Sequence, residues 1–293
     1  MGNLVIGIGN LTERLKAFTD RKEAEAKRAV LGPWLTAADR RSGEETAIGN
    51  AWSRALFDGD FLLSAAPSSD LPATSLVFVQ SREGNTVAKD PSALGGGETD
   101  KHVIYEGLSR VAADAVLAGA ETIRDGRIVF SVWRPELVTL RESLGLPRHP
   151  IQIVATLRGV AFDDSVLFNE PDLRVILLTV PPWSDLMHRA LAQRPWITPL
   201  LMPNAGALRT AFQELKRLGI QRISCVGGRT LAAQLLDHGL VQDLYLTKSP
   251  RSGGEPNTPL PANALEGELV LRKEGTGADE GVTFEHRRLD RRR

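Results

Sequence analysis

Residues 221–250 read QRISCVGGRTLAAQLLDHGLVQDLYLTKSP, and this stretch decides the fold. Ile223, Cys225 and Val226 form a short apolar run suited to a buried strand. Gly227 and Gly228 follow at once, and Thr230 opens a helical spacing through Leu231, Leu235, Leu236 and Leu240. Gly239 stands where such a helix would stop, and Asp243-Leu-Tyr-Leu-Thr resumes the alternation of a strand. A strand, a paired-glycine turn, a helix and a second strand thus follow one another with almost nothing between them. Glycines at that junction let backbone N–H groups approach a ligand without a side chain in the way. The helix start adds partial positive charge and unpaired donors, which suit a phosphate. The same spacing is met by a tight strand-to-helix connection that binds nothing.

Composition narrows the class. A chain of 293 residues can bury a sizeable core, and 42% apolar with 25% charged residues is ordinary for a globular enzyme. The formal net charge of +0 gives no global attraction to nucleic acid or anionic membranes, so neither is expected as a partner. A single cysteine, Cys225, excludes an internal disulfide and a cysteine-built zinc site. His102, His149, His188, His238 and His286 are scattered without metal-ligand spacing, so no metal site is expected. The opening MGNLVIGIGN has no basic leader, and no apolar run reaches the roughly 18 residues of a membrane span. The default expectation is a cytoplasmic protein.

Texture changes near residue 70. Leu11 to Val30 reads as an amphipathic helix with Leu11, Leu15 and Phe18 on one side, and a second helical region is expected from Thr36 to near Phe57, interrupted around Ser42-Gly43. Ala65 to Thr74 is a turn-rich connector. Short strands then alternate with helices through Ser75–Gln80, Lys101–Ala112, Ala115–Leu117, Ile151–Ala155, Leu173–Thr179 and Leu208–Leu218. That alternation predicts an α/β fold with a mostly parallel central sheet flanked by helices. The expected division is an N-terminal helical extension over residues 1–70 and a sheet domain over 71–293. Val282 to Leu289 is expected to pair at a sheet edge.

Two further blocks matter. Arg110 to Gly126 contains a short buried strand, Asp-Ala-Val-Leu-Ala-Gly-Ala, with Thr122 after it; Gly119 and Ala120 leave room for a flat ring or a phosphate near the backbone. Upstream, the strand Val77-Phe-Val-Gln ends in Ser81-Arg82-Glu83-Gly84. Together the three blocks resemble the reductase domain of riboflavin biosynthesis, the C-terminal half of the bifunctional deaminase-reductase, whose fold is that of dihydrofolate reductase. Ser81 to Gly84 matches the family's Ser-Leu-Asp-Gly, Arg110 through Thr122 its second signature, and Val226 to Leu244 its third. The resemblance covers roughly Leu71 to Leu289.

The resemblance implies a homodimer that uses NADPH to reduce the ribose of a ribosylaminopyrimidine phosphate to a ribityl chain. It places Thr122, Thr156, Gly227, Gly228, Arg229, Thr230 and Leu231 against the cofactor, and Ser81, Ser92 and Arg110 on the substrate side. Arg110 would take a phosphate as a charge-assisted fork, and Glu83 would be the catalytic carboxylate. Hydride transfer needs no protein nucleophile, because the nicotinamide carries the chemistry. Val226 stands where the family has a substrate-contacting Glu, and the lysine frequent in the first strand is absent. Such a loss argues for a different substrate. One cysteine cannot supply the deaminase's Pro-Cys-x-x-Cys, so a standalone reductase is expected. A catalytically silent member of the fold and a pterin or dihydrofolate reductase are the alternatives.

The remaining motifs are weaker. Gly7-Ile-Gly-Asn lacks the third glycine of a dinucleotide fingerprint. Asp100-Lys-His102 is expected at a helix start with Thr99 or Asp100 as cap, and Arg287 to Arg293 as a frayed tail. Ser249-Pro-Arg-Ser-Gly-Gly could be a second substrate loop or a plain surface loop. Trp133 and Trp183 are expected to pack.

Overall fold

The computed structural model describes residues 8–41, 45–124, 128–163 and 165–289. In chain order it holds α1 (Ile8–Arg28), β1 (Trp34–Asp39), β2 (Thr46–Ile48), α2 (Ala51–Phe57), β3 (Phe61–Leu63), β4 (Ala73–Gln80) and a single turn α3 (Gly97–Thr99). Next come a π-helix (Asp100–Leu108), β5 (Ala115–Gly119), α4 (Pro135–Ser143), β6 (Ile151–Ala155), α5 (Val166–Asn169), β7 (Val175–Thr179), α6 (Asp185–Ala192) and β8 (Ile197–Leu201). Then α7 (Leu208–Arg217), β9 (Arg222–Gly227), α8 (Arg229–Asp237), β10 (Asp243–Lys248), β11 (Glu268–Gly275) and β12 (Thr283–Arg288) close the chain.

Ten of these strands make one sheet in the order β1-β11-β12-β10-β4-β9-β5-β6-β7-β8. From β10 to β8 all neighbours are parallel, while β12, β11 and β1 are joined antiparallel. Residues two apart along each strand fall on one face. Val77, Val116, Ala118, Val154 and Tyr245 pack on a first face, under α1, the π-helix, α4, α5 and α6. Leu76, Phe78, Leu117, Ile153, Leu244 and Leu246 pack on the second, under α7 and α8. The unbroken apolar runs read from the sequence are therefore strands buried on both sides.

The N-terminal seventy residues depart from expectation. Residues 36–57 are not one helical region: β1 and the short β2 occupy much of it, and only α2 is helical. Nor are they a purely helical extension, because β1 completes the main sheet against β11 and Trp34, Phe57 and Phe61 are buried in the first-face core. The strand was hidden because only Trp34 of Trp34–Asp39 is buried. An edge strand gives little alternation to read. Val282–Leu289 is not an edge either: β11 and β1 lie beyond it, so β12 sits inside the sheet, between β11 and β10. Arg287 and Arg288 belong to that strand and pair with Glu285, Asp243 and Glu45; residues 290–293 lie outside the described ones. Gly7 of the incomplete fingerprint is likewise outside them, and α1 begins at Ile8. Trp133 packs edge-on against Phe18 with centroids 5.6 Å apart, and Trp183 is half-buried beside His188. Among the described residues no helix is long and apolar enough to cross a membrane.

Candidate active site

The sheet opens at one place. β4 and β9 pair from Ala73–Arg222 to Leu76–Cys225 and then part, although β4 continues to Gln80 and β9 to Gly227. A bulge helps them diverge: Leu117 of β5 pairs with Cys225 but Ala118 pairs with Gly227, so Val226 is the extra residue. Beyond these ends the chain turns to opposite faces, into the first-face π-helix after β4 and into the second-face α8 after β9. A crevice between two such strands, outside their carboxyl ends, is where open α/β sheets take ligands.

Glycine shapes its floor. Gly228 has φ +89°, a left-handed conformation costly for other residues, and a Cβ on Gly119 would lie 3.9 Å from its Cα. The ends of β5 and β9 thus present bare backbone to each other. Thr122, half-buried on the turn after β5, stands over the first glycine of the pair: a Cβ on Gly227 would be 3.1 Å from its Oγ1. No side chain caps α8, whose first internal bond runs from Ala232 N–H to Gly228 O at 2.8 Å. Its leading amides therefore stay available, with the exposed Arg229 and Thr230 beside them and Leu231 buried as anchor. Thr122, Gly227, Gly228, Arg229, Thr230 and Leu231 are brought together as the sequence suggested. Thr156 reaches the same sheet end from β6, but its hydroxyl donates to Gly159 O at 2.7 Å and accepts from Arg158 N–H, so it closes a turn.

The β4 side is organised by Glu83. Its Oε2 accepts from Ser81 Oγ and from Gly253 N–H, each at 3.1 Å, tying the strand end to the 249–254 loop. The Ser252 hydroxyl and nearby backbone amides hold this exposed carboxyl down to about 2. Glu83 is thus a fixed carboxylate that positions a loop and has no proton to give near neutral pH. Ser81 is buried in that turn, while Ser92 is exposed on a 3₁₀ turn capped by Asp90. Ser249-Pro-Arg-Ser-Gly-Gly overhangs the site, with Arg251 O accepting from Arg82 N–H at 2.9 Å.

Arg110 lies apart from these residues. It lies just upstream of β5, at the amino end of the strands, and is 1% exposed. Its Nη1 donates to Ser131 O at 2.7 Å, and its guanidinium stacks over Tyr105 at 4.2 Å. The structure does not bring this fork to the glycine crevice, and its Nε and Nη2 are buried without a hydrogen-bond partner among the described residues. His102 and the expected cap also differ. The helical turn begins at Gly97, and His102 is buried with Nδ1 3.1 Å from Glu106 Oε2. Thr99 and Asp100 do not cap it: Thr99 Oγ1 donates to Asp279, and Asp100 Oδ1 accepts from Thr247 Oγ1.

The Asp100–Thr247 contact was missed by sequence reasoning. Burial raises the Asp100 carboxyl to about 7, with the Thr247 hydrogen bond opposing and the Asp279 charge adding to the rise. The glycine run Gly95-Gly96-Gly97 before Thr99-Asp100 was the available signal.

A second, small cleft lies at the amino ends of β4, β9 and β10, lined by Ser64, Thr74, Ser109, Arg222, Asp243 and Tyr245 among others. Its polar groups are largely engaged with one another. Asp243 Oδ1 accepts from Ser64 Oγ and His286 Nε2, both at 2.7 Å, and from Arg288 Nε at 3.3 Å. Ser109 and Ser224 share a hydrogen bond, and Arg222 Nη1 donates to Ser64 O. Thr74 Oγ1 alone in this lining is buried without a partner among the described residues. The splayed, glycine-floored end is the better candidate, since its donors are free and its strands diverge.

These features define the class: a doubly covered α/β domain whose site lies at the point where connections switch faces. The family follows from the comparisons. The model of the RibD C-terminal domain matches residues 80–277, more than half of the chain, and the chain belongs to that family of riboflavin-pathway reductase domains. Its fold is dihydrofolate-reductase-like. A pyrimidine reductase-like protein from Corynebacterium diphtheriae superposes with a TM-score of 0.62 at 23% identity, covering 75% of this chain and 93% of that one. The Thermotoga maritima deaminase/5-amino-6-(5-phosphoribosylamino)uracil reductase gives 0.54 at 17% identity, over 75% of this chain and 57% of its own. RibD from Acinetobacter baumannii gives 0.51 at 17% identity, over 75% and 58%. The chain thus spans little more than half the length of these bifunctional proteins. No curated protein matches the chain by sequence.

Proposed function

We propose that this chain is an NADPH-dependent reductase of a small ribosylated, phosphorylated heterocycle, acting as a homodimer. The observation that carries the reading is the glycine-floored crevice between β4 and β9, with the uncapped start of α8 at its mouth. Bare backbone at Gly119 and Gly228 fits a flat dinucleotide, and the amides of residues 229–231 with the Arg229 guanidinium fit its phosphates. Bound there, the reduced nicotinamide supplies the hydride. Thr122 orients the group lying over Gly227, while Ser81 and Glu83 fix the loop that closes the substrate side.

Val226 bears on the substrate. It is 9% exposed on the bulge and packs in the first-face core, so no carboxylate stands at that position. A substrate whose matching position is apolar is favoured over one that needs a carboxylate partner. The test is titration with NADPH read by the chain's five tryptophans, followed by cofactor oxidation across a panel of ribosylaminopyrimidines and pterins. Saturable binding with turnover on a pyrimidine is expected; no binding at millimolar cofactor would end the reading. Binding without oxidation of any member of the panel would favour a silent ligand-binding member instead. Gel filtration at several concentrations tests the dimer.

A further inference from the structure

Reduction of a carbon–heteroatom double bond consumes a proton as well as a hydride, and the acids at the crevice are not equal candidates. Glu83 is held ionised by Ser252, Ser81 and Gly253. His102 is buried against Glu106 on the π-helix. Asp100 is different. It opens the π-helix on the first face and stands over the carboxyl end of the sheet, where Thr247 of β10 and Val79 of β4 are cross-strand partners. Val79 belongs to the length of β4 that has already parted from β9.

Only one of the two carboxyl oxygens is engaged. Oδ1 accepts from Thr247 Oγ1, while Oδ2 accepts no hydrogen bond among the described residues. Oδ2 occupies the space that a side chain at residue 96 would need: a Cβ on Gly96 would lie 2.6 Å from it and 3.2 Å from Val79 Cγ2. Glycine at 96 is therefore a condition for the carboxyl to sit there. Asp279, joined to Thr99, is the charged group that bears on Asp100 from another element, and it disfavours a second negative charge. A π-helical segment next to this acid fits the frequent occurrence of such segments at functional sites.

We propose that Asp100 is the general acid of the reduction, a role that rests on the reductase reading above. As hydride from the reduced nicotinamide forms the new C–H bond, the π electrons of the substrate's C=O or C=N move to the heteroatom. Asp100 breaks its O–H bond to protonate that atom, so substrate is reduced, cofactor oxidised and the carboxylate left to regain a proton from water. Thr247 holds the carboxyl in place through Oδ1 and leaves Oδ2 as the donor. Burial keeps the proton on until near pH 7, matched to the task.

Three variants test this, each measured for NADPH affinity, turnover against pH and thermal unfolding of the cofactor-free protein against pH. Asp100→Asn should bind NADPH as the wild type does, lose at least 100-fold in turnover and lose the alkaline limb near pH 7. Cofactor-free Asp100→Asn should also lack the fall in stability that the wild type shows between the ordinary carboxyl range and about pH 7. Thr247→Val, which removes the hydrogen bond that lowers the Asp100 value, should move the alkaline limb to higher pH, and this covers the case in which Asp100→Asn fails to fold. Gly96→Ala should displace the carboxyl and lower turnover at unchanged cofactor affinity. Unchanged turnover and pH profile in Asp100→Asn, or an unmoved limb in Thr247→Val, would overturn the assignment while leaving the reductase reading standing. A wild type that does not bind NADPH would remove both.

Discussion

The two ends of the parallel strands differ in how their polar groups are arranged. At the amino end, Asp243 gathers Ser64, His286 and Arg288, while Arg141 Nη1 donates to three carbonyls, those of Arg110, Val111 and Ala113. At the carboxyl end, β4 and β9 part, the amides leading α8 stay uncapped and Asp100 keeps one oxygen free. Engagement is not complete at the amino end, where Thr74 Oγ1, Arg110 Nε and Nη2 and Arg141 Nη2 have no partner among the described residues, so it is the parting of the strands that sets the carboxyl end apart. The difference teaches that depth and polarity alone do not mark a site, since the hollow at the amino end has both.

Substitutions at the two ends should separate accordingly. The largest effect is expected from Asp243→Ala, which leaves His286 and Arg288 without their carboxylate and should cost about 3–5 kcal/mol of stability. NADPH affinity should not change, and a chemical-denaturation curve with a cofactor titration checks both. Burial works against the charge on Asp243, but hydrogen bonds from His286 and Ser64 and the Arg288 charge hold its carboxyl below the usual range. A depressed carboxyl contributes stability above its unfolded value and loses it as pH falls through the folded one. Stability should therefore fall less steeply on acidification in Asp243→Asn than in the wild type.

Next in size is Gly119→Val at the other end, whose new side chain would fill the gap above Gly228. Cofactor affinity should fall more than about 100-fold, or about 2.7 kcal/mol, with thermal stability nearly unchanged. Calorimetric titration measures the first and a melting curve the second; equal damage to both would erase the contrast between the ends. Asp100→Asn should follow, as a stability gain at pH 8. Burial raises this carboxyl to about 7, so its folded form binds the proton more tightly than the unfolded one. Stability is then greatest in acid and falls until pH passes the folded value, a slope the variant removes. Smallest is Glu83→Gln, which weakens the tie to Gly253 and should raise KM severalfold while leaving the alkaline limb of turnover in place.

Much of the carboxyl end was legible because local chemistry and global fold agree there. Apolar runs at β9 and β10, the glycine pair and the leucine spacing of α8 each have one structural meaning, and the elements appear where the residues put them. The edges were harder. β1 buries only Trp34 of its six residues, and β8 carries Pro199 inside a five-residue strand that the sequence did not announce. Both lie at margins of the sheet, where a strand needs little burial to exist. The place of Arg110 could not be read from sequence, because a buried arginine and an exposed one look alike there; its stacking on Tyr105 and its bond to Ser131 O are visible only in the fold. Asp100 was passed over for the converse reason. Its setting is assembled from Gly96, Val79, Thr247 and Asp279, residues spread over two hundred positions that no spacing rule connects.

The central claim is that a reduced dinucleotide lies at the splayed carboxyl end, and backbone amide NMR during an NADPH titration tests it most directly. The account predicts that the amides of Gly119, Gly227, Gly228, Thr230 and Leu231 shift saturably while those of Ser64, Thr74 and Asp243 stay still. Shifts confined to the amino-end cleft, or none at millimolar cofactor, would contradict it.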